Sequence, residues 1–241
     1  MTALISAELF RLRTIRSPLM IAVGVLALVV FMAIVPAFDA GGPDAMTGPD
    51  VVELMQIAGG LFAAVGIALL AAATAGGDFR RGTAALSYLT SPRRGHTLAA
   101  RVAAYAGLGA LFGALAATVA WAIALPVAEG AGIDVAFSGG DLALLLSGAA
   151  LAGALFASAG VLLGTATRNP TVAVVAILVW QPAENLIGML GIGEYLPFSL
   201  LQTMLGAGSS IAPFAAAGLL GAYLAALAVV VRLRALPRDI T

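Results

Sequence analysis

Six runs of about twenty mostly apolar residues divide this chain, at 19–38, 54–76, 102–125, 142–167, 171–190 and 213–231. Each is long enough to cross about 30 Å of hydrocarbon as a helix rising about 1.5 Å per residue. Soluble domains carry roughly a quarter charged residues. Here 61% of the 241 residues are hydrophobic and 10% are charged, too few to wet a globular surface. The expected fold is therefore all-α, a polytopic membrane protein of six transmembrane helices. The first run exceeds the 7–15 apolar residues of a typical signal core, and five more follow it, so it is expected to stay in the membrane.

Arginine orients the spans. Arg11, Arg13 and Arg16 precede the first; Arg80, Arg81, Arg93, Arg94 and Arg101 lie between the second and third. Arg168 lies between the fourth and fifth, and Arg232, Arg234 and Arg238 follow the sixth. With six passes, all twelve basic residues fall on one side. The opposite loops hold Asp39, Asp44, Asp50, Glu53, Glu129, Asp134, Asp141 and Glu194. A wrong span count would scramble this alternation. Both termini are expected in the cytoplasm of a bacterial cell, with the protein in its plasma membrane. Residues 18–235 form one transmembrane domain, and 236–241 a cytoplasmic tail.

The loops on the acidic side are short and rich in glycine and proline. The longer, semi-polar segment 191–212 is expected to form short extracytoplasmic helices. The inner loop 78–101 carries the most information. On a helical wheel Phe79, Thr83, Leu86 and Leu89 share one side, with Arg80, Arg81, Ser87 and Tyr88 opposite, a short amphipathic helix. Ser91-Pro92 then breaks it. The loop reads either as an anchor at the headgroups or as a docking surface for a cytoplasmic partner, since five arginines exceed what orientation requires.

Few residues carry chemistry. Cysteine is absent and His96 is the single histidine, which argues against thiolate or histidine metal sites; no metal site is expected. No GxxxxGK[ST] or HExxH motif occurs, so the chain is not expected to be an enzyme. Gln181, Glu184 and Asn185 surround Pro182 inside the fifth run. Proline removes a backbone donor, and an ionisable group at membrane depth points to function. Glu184 lies about 20 Å along its helix from the inner start. The three residues therefore line a translocation path or belong to the outer interface. Gly109/Gly113 and Gly160/Gly164 have the spacing that permits close helix packing.

Together these residues resemble the membrane subunit of ATP-binding cassette transporters of the type-2 export class, along the whole chain. The opening Ala7-Glu8-Leu9-Phe10-Arg11-Leu12-Arg13-Thr14-Ile15-Arg16-Ser17 is similar to that family's start. Asp78-Phe79-Arg80-Arg81-Gly82-Thr83, then Ser91-Pro92-Arg93-Arg94 and Arg101, resembles its inner loop, and Pro237-Arg238-Asp239-Ile240 its ending. Asp78 stands where the family commonly has Glu, and Arg101 where Lys is common; both keep the charge. The resemblance implies that residues 1–17, with Glu8, Arg11, Arg13 and Arg16, form an interfacial elbow helix. It implies that the loop with Asp78, Arg80, Arg81, Gly82, Thr83, Leu86, Pro92, Arg93 and Arg94 is the coupling element. The partners it implies are two copies of a cytoplasmic ATPase, which bind ATP and Mg, and a second permease copy or a related permease. The chain itself would hold no cofactor, would contact membrane lipid and would bind no nucleic acid. The alternatives are a stand-alone channel or ion-driven carrier, and a membrane anchor or sensor for an ATPase without transport.

Overall fold

A computed structural model of the chain describes residues 10, 16–38, 46–83, 94–206 and 210–235. Among them the structure is all-helical, and six helices are long and apolar enough to cross a membrane. Helix α1, Arg16–Ala33, ends in a 3-10 turn at Val35–Phe38. Helix α2, Gly48–Gln56, continues through a π-helical stretch at Ile57–Phe62 into α3, Ala63–Arg80. Helices α4, Arg94–Gly130, and α5, Gly139–Thr167, form a long pair. Helix α6, Pro170–Ile187, is followed by the short α7, Pro197–Met204, and by α8, Pro213–Val230.

The second and third spans outrun their apolar stretches, reaching 33 residues at Gly48–Arg80 and 36 at Gly95–Gly130. Such lengths exceed the hydrocarbon by several turns, so their polar ends project beyond it. The starts are set by local chemistry. Asp50 Oδ2 accepts from the Thr47 amide at 2.6 Å, and Asp141 Oδ2 from the Ser138 amide at 2.8 Å. Each acid thereby closes a capping box on the first turn of its own helix. At α6, Asn169 Oδ1 accepts from Thr171 N at 2.9 Å, and Pro170 occupies the first turn, where its missing N–H leaves no gap.

Helices α3, α4 and α5 make the centre, joined by small residues. A Cβ placed on Gly109 or Gly113 would strike the carbonyls of Gly153 or Ala149 across the α4–α5 seam. Gly160 and Gly164 meet the carbonyls of Ala68 and Ala72 on α3 in the same way. The spacing seen in sequence at 109/113 and 160/164 is therefore a backbone-to-backbone contact. The apolar stretch of the second span is 67% buried, against 17% for the first, fifth and sixth. Helices α1, α6 and α8 therefore lie at the periphery, and their outward faces carry residues such as Phe31, Leu178 and Val229.

Candidate functional site

The helix order puts Arg80, Arg81, Arg94, Arg101, Arg168 and Arg232 near one end of the bundle. Helix α3 arrives there with Asp78 in its last turn, 1% exposed. A buried carboxylate needs a partner, because its charge has lost its water. Arg101 of α4, itself buried, donates from Nη2 to Asp78 Oδ2 at 2.8 Å. Arg81 Nη2 lies 3.4 Å from Asp78 Oδ1, and Thr83 Oγ1 donates to the same oxygen at 3.3 Å. Gly82, in the turn just beyond α3, has a φ of 72°, a left-handed conformation that glycine adopts without strain. Asp78 thus accepts both from the residues that open the inner loop and from the helix that closes it.

The same end is fastened at two further points. Tyr105 on α4 donates to Thr74 Oγ1 on α3 at 2.6 Å, about one turn deeper. The Arg168 guanidinium sits 5.5 Å from the centre of the Phe79 ring, a cation–π contact from the α5–α6 turn. That turn lies flush on α3: a Cβ on Gly76 would come within 2.7 Å of Pro170 N.

Near the other end, Glu184 of α6 is buried. Helix α7 begins at Leu196-Pro197, and Leu196 has no side chain able to cap it. Glu184 supplies the missing acceptor from another helix. Phe198 N donates to Oε2 at 2.9 Å and to Oε1 at 3.1 Å, while Trp180 Nε1 donates to Oε1 at 2.5 Å. The positive end of a helix favours a carboxylate there. The Phe198 ring then meets Phe156 of α5 edge-on at 5.4 Å, and Leu200 and Leu201 are fully buried, which seats α7 in the core.

The residues singled out in sequence separate into groups. Asp78, Arg81 and Thr83 come together, with Gly82 forming the turn between them; Arg80 is exposed at the end of α3. Helix α3 runs to Arg80, so Phe79 and Arg80 belong to the spanning helix, while Leu86, Ser87, Tyr88 and Leu89 of the expected amphipathic helix lie outside the described residues. Leu86, Pro92, Arg93, Glu8, Arg11 and Arg13 lie outside the described residues. Arg16 and Arg94 are described only as the first residues of α1 and α4. Gln181, Glu184 and Asn185 do not converge: Glu184 points inward, and the other two are exposed one turn apart on α6. Arg101, which sequence reading uses for orientation, is the principal partner of Asp78. Among the described residues no group of three acidic or histidine side chains could hold a metal. No protein-family model, curated protein or solved structure matches the chain.

Proposed function

We propose that this chain is the membrane subunit of an ATP-driven exporter, with both termini in the cytoplasm of a bacterial cell and the 78–101 loop resting on a separate ATPase. The observation that carries the reading is the Asp78–Arg101 pair, which fastens the two roots of that loop to each other. A push on the loop would move α3 and α4 together, and α3 would carry the turn between α5 and α6 through Phe79 and Arg168. Arg80 is exposed beside the pair and Arg81, half exposed while it contacts Asp78, lies next to it, so both would meet an acidic partner surface. The sequence contains no GxxxxGK[ST] motif, and in this reading ATP and Mg would be bound by two copies of the partner.

Gln181 and Asn185 support a second permease, either another copy or a related chain. Polar side chains at membrane depth face other helices or a water-filled path, because lipid offers them no partner. On α6 these two face outward, so a neighbouring subunit would complete their surroundings and enclose a path between the two bundles. The elbow helix expected for residues 1–17 would lie on the inner headgroups. Energetically, the loop must convert a difference in binding between two ATPase states into a difference between two helix arrangements.

The test is to reverse the charge of Arg80, Arg81, Arg93 and Arg94 and purify the complex with its ATPase. Insertion should survive on the remaining arginines, while stimulation of ATP hydrolysis by the membrane subunit should be lost. Retained stimulation would remove the loop from the interface. Unchanged substrate movement with a catalytically dead ATPase would remove export altogether.

A further inference from the structure

Helices α6 and α8 both flank the centre, yet they barely meet each other. Helix α6 packs on α3, and α8 packs on α5 and α7. Between them lies a cavity of about 270 Å³, floored by Ala68 of α3 and by Phe156 and Ala159 of α5. Ile177 and Trp180 form one wall, and Leu220, Leu224 and Leu227 the other. Alanines at 68, 159 and 176 leave the space that larger side chains would fill.

Two polar groups border the cavity, and both are already engaged. The Trp180 indole N–H goes to Glu184, and the Tyr223 hydroxyl donates to Tyr195 O at 3.1 Å, tying α8 to the segment before α7. Only their rings remain to face the space. A water needs two to four polar partners, and apolar cavities of this kind stay dry and take up apolar guests. Left empty, the cavity would deprive its lining of dispersion contacts.

Depth decides what fills it. Ile177 and Trp180 lie about 10 and 15 Å along α6 from its start at Pro170, near the middle of about 30 Å of hydrocarbon. A cavity of about 150 Å³ accommodates benzene, so this one has room for a chain of about ten carbons. A whole helix about 10 Å across would not fit. We propose that the α6–α8 cavity is a binding site for one acyl chain of a membrane phospholipid, entering sideways from the bilayer and held against Phe156, Ile177 and Trp180. The inference rests on the six helices crossing a bilayer and is independent of export and of the ATPase.

The test uses the full chain in vesicles and in detergent. With Trp121 replaced by Phe, Trp180 is the remaining tryptophan, and phospholipid brominated in mid-chain should quench it. Native mass spectrometry of the detergent-released protein should show one retained phospholipid per chain. Ala159→Phe, and the milder Ala159→Leu, should abolish the retained lipid and reduce the quenching to the part that bulk lipid produces, since Trp180 is also 44% exposed. Ala225→Phe, on the exposed face of α8 outside the cavity, should leave both signals unchanged. Loss of retained lipid in Ala225→Phe as well, its persistence in both Ala159 variants, or its absence from the parent protein would overturn the proposal. Capture of a second copy by a cysteine cross-link at position 176, with no lipid retained, would do so too. Failure of the chain to span vesicles, read by protease access to its ends, would instead overturn the membrane reading itself.

Discussion

Asp78 and Glu184 are the acidic side chains buried among the described residues, and the two ends of the bundle satisfy them differently. Asp78 is held by a cation: Arg101 from the neighbouring helix, with Arg81 and Thr83 on its second oxygen. Glu184 is held by dipoles: the Phe198 amide at the start of α7 and an indole N–H. The first arrangement joins two long helices and leaves the adjoining arginines exposed. The second fixes a short helix that has no cap of its own. A buried carboxylate marks a mechanical joint in both places, and its partner reveals which parts are joined.

The sharpest way to break this contrast is to remove the cation. Arg101→Leu strips buried Asp78 of its principal cation and leaves it the longer, water-screened Arg81 contact, which should destabilise the protein by about 3 kcal/mol. Denaturant unfolding in mixed micelles, followed by circular dichroism, would measure it. Adding Asp78→Leu should restore most of the loss, since apolar replacement of a whole buried pair is often neutral. No recovery would mean that the pair acts by more than cancelling charge.

Glu184→Ala should cost about 2 kcal/mol, from one lost cap and buried donors left without an acceptor. The effect should be local, with faster hydrogen exchange across 193–206 and little change in α3 or α4. Exchange rising equally throughout the bundle would erase the distinction between the two ends. Ser138→Ala removes a cap supplied by the helix's own flank and should cost about 1 kcal/mol, fraying only the first turn of α5. Arg81→Ala should be smallest, below about 1 kcal/mol, because its side chain is 55% exposed and its pairing with Asp78 is screened by water. A loss there as large as that from Arg101→Leu would show that Asp78 depends on both cations equally.

Much of the architecture is legible in the sequence because a crossing needs a minimum apolar length of about twenty residues. The spans, and the packing of Gly109/Gly113 and Gly160/Gly164, follow from local patterns. The joints do not, because each depends on residues brought together by distant segments. Nothing in the spacing of Asp78 and Arg101 pairs them; the loop between must fold back first. Leu196-Pro197 offers proline at the first turn but no capping side chain, and the acceptor for α7 comes from Glu184 on the preceding helix. The π-helical stretch at Ile57–Phe62 has no sequence signal of its own. Asp50 and Asp141 show the opposite case. As loop acids they indicate orientation alone, yet their spacing from Thr47 and Ser138 already spells a cap.

The glycine contacts between α4, α5 and α3 also restrict which parts can move. Sliding either seam by a residue would bring a side chain in place of a glycine against a main-chain oxygen of the facing helix, where there is no room to yield. The three helices therefore form a keel, to which α6 is fastened at its start by Gly76 against Pro170 while α1 and α8 lie on it through side chains.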